Sequence, residues 1–481
     1  MIEPMSYSSS NAATFFPFIA VASLTLLHLG QASFLRHPAW TAISSMFGLF
    51  LGLLLIDVKL PVPTPFVQLI AMSDFQKRFA AFFLIAAIVV AFFLWDYIKK
   101  SSEHAEELFC LFQISVLGGL ILISANHLVT AFLGLELMAI PTYGMLYYFK
   151  EKQNCLEASL KYVLLASFST AFLMLGFAIL YSQSGNLSLA ALAQIVADGS
   201  HDTPSVAQVA FLLVFIGVVF KLGLAPLHVW MPEVYVGAPM PIAMHLATLS
   251  KLAILAFSVR FFWMCKLTAT PLLSAIFLAV CLASMVAGSL LVAFEKNPKR
   301  VMAYSSMVHM SYLLLPVFQG PNGAFVFGFY TLVYLMAVLS SFGVMTALSH
   351  SGREIEHIRE FAGLRLKHPV LMLAFSFSLL SLVGLPLTAG FIGKFQVLTL
   401  LAGSSEWVLM ILIVLSSVTS LYSYVSILSY VWGDDGEAIL KRFPIHRSAA
   451  AISCALAIFL VAAGIYPEPI FRVLQGLSLN P

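Results

Sequence analysis

The chain has 481 residues, 60% of them hydrophobic and only 10% charged, against about 25% charged residues in soluble domains, so a soluble globular surface is excluded. With 25 Lys and Arg against 22 Asp and Glu the net charge is +3, and no basic field exists to hold nucleic acid. Five cysteines, Cys110, Cys155, Cys265, Cys281 and Cys454, are scattered without C-x-x-C spacing and read as small buried thiols rather than a metal or redox cluster.

The stretch from Met1 to Asn11 carries Glu3 and no Lys or Arg. It lacks the basic region of a cleavable signal peptide, so the first helix is expected to stay in the mature protein. A membrane-spanning helix needs about 20 mostly apolar residues. Such runs fall near 12–31, 39–56, 79–98, 107–125, 127–149 and 157–182, then 206–238, 240–264, 271–294, 300–318, 323–349, 369–402, 406–432 and 447–466. The pattern predicts an all-α integral membrane protein with about fourteen transmembrane helices.

Segments seven (206–238) and twelve (369–402) exceed thirty residues. At about 1.5 Å per residue a straight helix of that length overshoots a roughly 30 Å hydrocarbon core. Each is expected to be broken, at Gly223-Leu224-Ala225-Pro226 and at Gly384-Leu385-Pro386, because proline removes a backbone donor and clashes with the preceding turn. The two breaks lie five spans apart, an odd number, so helices 4–8 and 9–13 form two five-helix units of opposite orientation, an inverted repeat. The predicted organisation is residues 1–106 for helices one to three, 107–264 and 271–432 for the two repeats, and 433–481 for the last helix and tail.

Basic residues in loops set orientation. The loops after odd-numbered helices hold Arg36, Lys99, Lys100, Lys150, Lys152, Lys296, Lys299, Arg300, Arg353, Arg359, Arg365, Lys367, Lys441, Arg442 and Arg447. The other loops and the tail hold only Lys59, Lys77, Arg78, Lys266 and Arg472. The odd loops are therefore expected in the cytoplasm and both termini on the opposite side.

Lys161, Lys221, Lys251 and Lys394 stand inside apolar segments, where one lysine at the bilayer centre costs about 2.5 to 3.5 kcal/mol. Such groups must be paired, hydrated or neutral, and desolvation brings a lysine into the range where it exchanges protons. Glu136 is the only carboxylate of its span, with Pro141 a turn later, and Lys221 beside the first break is the expected partner; a static buried ion pair is the competing reading. Lys251 has no acid within a helical turn. Lys394 follows the second break in Gly390-Phe391-Ile392-Gly393-Lys394, with snorkelling to the interface as its alternative. Lys161 lies one turn into the sixth predicted helix and four residues after Glu157, so an interfacial ion pair accounts for it as well as transport does. His309, in Ser305-Ser306-Met307-Val308-His309-Met310-Ser311-Tyr312, stands among hydroxyls that suit a relay, and a bond to a backbone carbonyl accounts for it nearly as well. His228 and His245 flank the loop after the first break and read as structural. The sequence has no Rossmann glycine motif, phosphate loop, C-x-x-C-H or cysteine cluster, so any chemistry that drives transport is expected elsewhere.

Four stretches carry a resemblance: Phe132-Leu133-Gly134-Leu135-Glu136-Leu137 with Pro141; Leu156-Glu157-Ala158-Ser159-Leu160-Lys161-Tyr162; Trp230-Met231-Pro232-Glu233-Val234-Tyr235-Val236-Gly237-Ala238-Pro239 through Ser250-Lys251; and Gly384-Leu385-Pro386 through Lys394-Phe395. They resemble the antiporter-like, proton-pumping subunits of bacterial respiratory complex I, the NADH-quinone oxidoreductase. The resemblance implies fourteen helices with two inverted five-helix units and a hydrophilic axis at the membrane midplane through Glu136, Lys221, Lys251, His309 and Lys394, with Lys161 added by its motif. It implies a coupling pair of Glu136 and Lys221, a central relay of Lys251 and His309, and an exit at Lys394. It also implies no cofactor in this chain, with flavin, iron-sulfur clusters and quinone in partner subunits. A neighbouring antiporter-like subunit and small membrane subunits are implied as partners, and the bacterial inner membrane as location, with both termini periplasmic. Glu233 departs from the family's usual Asp, Met240 and His245 interrupt a matching stretch, and the first hundred residues match in hydropathy only. A multisubunit sodium/proton antiporter, a membrane-bound hydrogenase, a photosynthetic relative of complex I, and a pure assembly scaffold are the other readings.

Overall fold

The computed structural model describes residues 12–13, 15–34, 37–58, 60–61, 69–99, 105–198, 206–265, 270–349, 354–404, 406–433 and 445–477. Arg36, Lys59, Lys100, Lys266, Arg353, Lys441 and Arg442 of the orientation count, and the segment Met1–Asn11, lie outside these residues. Every predicted apolar segment is helical. The elements are α1 (Phe16–Phe34), α2 (Pro38–Leu54), α3 (Asp74–Ile98), α4 (Ala105–Ser124), α5 (Leu128–Tyr147), α6 (Gln153–Ser184), α7a (Val206–Leu222) and α7b (Trp230–Gly237). There follow α8 (Met240–Met264), α9 (Pro271–Phe294), α10 (Pro298–Gln319), α11 (Pro321–Ala347), α12a (Pro369–Val383), α12b (Ala389–Gly403), α13 (Trp407–Trp432) and α14 (Arg447–Ile465). Eleven of these are long and apolar enough to cross a membrane; α2, α7a, α12a and α12b are shorter apolar helices. Among the described residues, strand structure is limited to a two-residue antiparallel pair, Ala12–Ala13 with Leu60–Pro61.

Both long segments break at their glycines. Gly223 has φ of 70° and Gly384 φ of 84°, left-handed values that cost glycine little because it lacks a Cβ. Gly384 ends α12a as a left-handed cap, and Leu387 in the same break also takes a positive φ, 73°. A third irregularity was not legible in the sequence. Residues Leu246–Ser250 of α8 form a π-helical turn, and the Tyr334 hydroxyl of α11 donates to the Ala247 carbonyl inside it at 3.1 Å. Such turns are rare and concentrate at functional sites, and this one ends immediately before Lys251.

The core is built on α8, α10 and α11, which are almost wholly buried. α6, α13 and α14 present outward rows of large apolar side chains such as Phe168, Ile411 and Ile458, a surface suited to lipid rather than water. α4 and α5 approach closely: a Cβ on Gly118 would lie 2.4 Å from the Met138 amide nitrogen, and one on Gly134 2.7 Å from that of Leu122. Small residues permit such backbone contact in apolar surroundings, and here they fix the register of Glu136, two residues after Gly134.

Loop contacts sort into two sets. Tyr97 at the end of α3, the start of α8, the start of α10 and the loop before α12a meet one another. Asp96 accepts hydrogen bonds from Ser448 and Ala449 at the start of α14 on the same face. On the opposite face the loop before α3 pairs with the α4–α5 loop through Asn126 and Leu69, Arg260 near the end of α8 binds the Ala125 carbonyl and Asn126 side chain, and Arg78 reaches the Gln475 carbonyl. The first face gathers loops that follow odd-numbered segments and the second those that follow even-numbered ones.

Candidate functional site

Glu136 projects from α5 with its side chain about a fifth exposed, and Lys221 is buried in the last turn of α7a. Their charged atoms lie 3.8 Å apart, the partnership the isolated charges called for. Thr170 of α6 donates to Glu136 Oε1 at 2.9 Å and orients the carboxylate. Among the described residues the Lys221 ammonium has no hydrogen-bond partner; it is held by the carboxylate and by the negative end of the α7a dipole.

Lys251 is the first residue beyond the π turn and is almost fully buried. Its Nζ donates to Ser306 Oγ of α10 at 2.5 Å and meets the Met231 sulfur of α7b at 3.0 Å, with the Tyr235 ring centre 6.0 Å away. His309 lies one turn beyond Ser306 on the same face of α10. Its Nδ1 is 2.8 Å from the Tyr330 hydroxyl of α11, so its partner is a phenol rather than a backbone carbonyl.

Lys394 of α12b does not snorkel. Its Nζ turns back into the break, donating to the Val383 carbonyl at the end of α12a at 2.8 Å and to Ser417 of α13 at 3.1 Å. It also stands 5.2 Å from the centre of the Tyr312 ring. The Tyr312 hydroxyl meets Ser416 and Ser417 at 2.5 and 3.4 Å, and its ring lies edge-on to His309, 5.9 Å between centres. Hydroxyls thus occupy the interval between His309 and Lys394.

Lys161 belongs to a different, half-exposed network. α6 starts at Gln153, so the lysine stands two turns in rather than one. It bridges Glu157 at 2.7 Å and Glu233 of α7b at 3.4 Å, and Arg300 reaches Glu233 at 2.9 Å. His245 is buried against Ser115 and Thr142 at 3.0 and 3.4 Å, and His228 packs edge-on to Tyr304. Among the described residues, neither hydrogen-bonds to an ionisable residue of the axis.

Sequence reasoning passed over Thr170, Ser306, Tyr312, Tyr330 and Ser417 as site members. Ser306 and Tyr312 were visible as part of the polar face around His309, whereas Tyr330 and Ser417 carry no local signal. Arg260, a further basic residue within a predicted span, was also passed over; its bonds to Ala125 and Asn126 make it a brace for the α4–α5 loop.

Comparisons with known proteins bear on the family and the fold. Residues 125–420 match the family described as NADH:quinone oxidoreductase/Mrp antiporter, TM. The chain is 31% identical to NADH-quinone oxidoreductase subunit N of Ectopseudomonas mendocina (strain ymp), covering 99% of this chain and 98% of that protein. Among solved structures it superposes on a chain of respiratory complex I from Thermus thermophilus with bound aureothin, with a TM-score of 0.79, 27% identity, 97% of this chain and 100% of that one. A chain of the Mrp complex from Dietzia sp. DQ12-45-1b gives a TM-score of 0.81 at 17% identity, covering 96% of each chain, and shares the fold. A fold match over nearly the whole length, a family match over the segment holding Glu136 through Lys394, and a full-length relative lead to one conclusion: the chain is a multi-pass membrane protein that belongs to the NADH:quinone oxidoreductase/Mrp antiporter transmembrane family.

Proposed function

We propose that the chain is a proton-translocating, non-redox subunit of an NADH-quinone oxidoreductase, moving protons along Glu136, Lys221, Lys251, His309 and Lys394 while electrons pass to quinone in other subunits. The observation that carries this reading is the buried succession of ionisable groups, each met by a hydroxyl, a carboxylate or the end of a half-helix. Around it the chain makes about fourteen crossings, with inverted repeats at 107–264 and 271–432. The odd loops face the cytoplasm of a bacterial inner membrane and both termini the periplasm. Flavin, iron-sulfur clusters and quinone reside in partner subunits.

In this mechanism Glu136 holds the Lys221 ammonium until a change at the outer face draws the carboxylate away. The uncompensated buried cation then favours release of a proton from Lys251, whose ammonium is held by Ser306, a thioether and the face of Tyr235. His309 and the hydroxyls of Tyr330, Tyr312 and Ser417 carry the proton to Lys394, which accepts it as a neutral amine, rests as an ammonium on the Val383 carbonyl, and returns to the amine when it releases the proton at the exit. Lys161 assists through Glu233, which it shares with Arg300. The partly exposed Glu136, among outward-facing Leu133, Ile140 and Phe168, fits a neighbouring antiporter-like subunit better than lipid, because a carboxylate in hydrocarbon is expensive.

The closer sequence kinship with subunit N than with the Mrp chain favours redox coupling over sodium/proton exchange. The test is to tag the chain, extract it in mild detergent, and assay the preparation for NADH-dependent quinone reduction and, in vesicles, for proton uptake. Copurification of that activity with iron-sulfur subunits supports the reading. Small hydrophobic partners with cation exchange and no electron-transfer activity overturn it.

A further inference from the structure

Lys299 and Glu354 stand apart from the buried axis, on the face that gathers the odd loops. Lys299 is the second residue of α10, and Arg300 follows it. Cations there oppose the positive end of that helix dipole, so an external reason must hold them. Lys299 pairs with Glu354 at 2.5 Å, and its Nζ also donates to the carbonyls of Val236 and Ala238, where α7b ends. Glu354 Oε1 accepts the backbone N–H of Met240, where α8 begins, at 3.1 Å, and the Tyr97 hydroxyl at 2.6 Å. The cation thus caps a helix C-terminus and the anion a helix N-terminus, each matched to the local dipole. Both ions meet at the joint Ala238-Pro239 between α7b and α8. Those two helices supply the surroundings of Lys251: α8 carries it, and α7b presents Met231 and Tyr235 to it. Arg300 grips α7b a second time through Glu233.

The joint faces a pocket of about 720 Å³ whose lining includes Lys152, Asn154, Asn297, Lys299, Glu354 and Glu356. The charged and titratable groups around Glu354 are Tyr97 from α3, Lys152 and Cys155 from the start of α6, Lys299 from α10, and Glu356 and Glu360 from its own loop.

We infer that the Lys299–Glu354 ion pair is a positioning device: it sets the angle between α7b and α8 and thereby holds the Lys251 ammonium against Ser306 and Met231 for proton transfer. The role rests on the proton-translocation reading above, and its mechanical half can be measured without it. The experiment uses the intact purified complex carrying Glu354→Gln, Lys299→Arg or the charge exchange Lys299→Glu/Glu354→Lys, with amide hydrogen exchange followed peptide by peptide. Glu354→Gln should speed exchange in the peptide covering 230–251 by about tenfold or more, since exchange tracks local opening, while peptides of α4 and α9 keep their rates. Proton uptake per quinone reduced should fall with it, and Lys299→Arg should retain both. The charge exchange keeps an ion pair but reverses both dipole matches, so it too should loosen 230–251. Native exchange in the charge-exchanged complex, or loosening spread evenly over all helices, overturns the joint. Loosening at 230–251 with wild-type proton uptake overturns its role in positioning Lys251. If Lys251→Met itself leaves proton uptake intact, the translocation reading fails instead. If the single variants do not assemble, the exchange variant alone decides, because a mere salt bridge predicts that it behaves as wild type.

Discussion

Glu136→Gln keeps the shape of the side chain and removes its charge. At 3.8 Å and an effective dielectric of roughly 20, two unit charges attract by about 4 kcal/mol. Lys221 is almost fully buried and has no hydrogen-bond partner among the described residues, so little replaces that attraction. Thr170, which now donates to the carboxylate, would donate to the amide oxygen and leave the ammonium unpaired. Even if water recovers two thirds of the loss, about 1.4 kcal/mol remains, a factor of ten in the equilibrium between joined and parted states. The assay is proton uptake by vesicles holding the purified complex, normalised to quinone reduction, for wild type, Glu136→Gln, Lys221→Met and the double variant. Uptake through this subunit should fall about tenfold in each single variant, and the double variant should lose far less than the sum, with a coupling of about 1 kcal/mol or more as expected for residues in contact. Additive losses, or wild-type uptake in Glu136→Gln, would refute the coupling pair.

Lys251→Arg keeps the charge but cannot release it, since a guanidinium stays protonated in this range; uptake should collapse while assembly and cofactor content stay normal. Lys394→Ala should depress uptake strongly, read in the same vesicles with reduction rate as the internal control. Gly390→Ala puts a Cβ 1.7 Å from the Ser381 carbonyl oxygen, so α12b must move off α12a; a destabilisation of about 1 to 3 kcal/mol or more should appear as a lowered melting temperature of the purified complex. Glu354 supplies a pH dependence. Burial acts to raise its carboxyl, but the Lys299 charge and hydrogen bonds from Lys299, Tyr97 and the Met240 amide prevail and hold it below the usual carboxylate range. A lowered folded value means that its stabilisation is complete above the ordinary glutamate value of about 4.3 and is lost as pH falls through the folded value. Thermal stability should therefore be insensitive to this pair near neutrality and drop on acidification, and Glu354→Gln should flatten that acid limb.

Which of these features the sequence announced depends on how far the cause lies from the residue. The breaks at Gly223 and Gly384 were legible because glycine and proline act on their own backbone. The Glu136–Lys221 pair was legible because a lone charge in an apolar run has to find a counter-charge, and only a few exist. α6 begins four residues before its hydropathy does: Gln153, Asn154 and Glu157 end the apolar run, but nothing in them ends a helix, so the backbone continues past the membrane segment. The π turn, Tyr330 and Ser417 were not legible, since serine and tyrosine are common in apolar helices and their partners come from other helices. Lys299 counted only as a loop charge and Glu354 carries no local signal; their importance comes from a contact across 55 positions of sequence, which no local pattern encodes.

Three of the buried lysines share one physical device, and the exception is the group we propose as the carrier. Lys221 occupies the last turn of α7a, Lys394 donates to the final carbonyl of α12a, and Lys299 donates to the carbonyls that end α7b. Each break in a helix exposes carbonyls with no intrahelical donor, and the negative end of the half-helix dipole favours a cation. The broken helices therefore do more than admit water: they create the places where a buried ammonium is tolerable. Lys251 has no such support. It lies in a continuous helix just after a π turn, and its bonds go to a neutral hydroxyl and a thioether. With neither a carboxylate nor a backbone carbonyl as its bonded partner, Lys251 is the lysine whose proton we propose is shifted by a change of field at Lys221 or Lys394. Supplying the missing support should arrest it: Ser306→Asp sets a carboxylate beside the ammonium, and uptake should fall although every original charge remains. Unaltered uptake in that variant, with normal assembly, would mean that the proton is carried by another group.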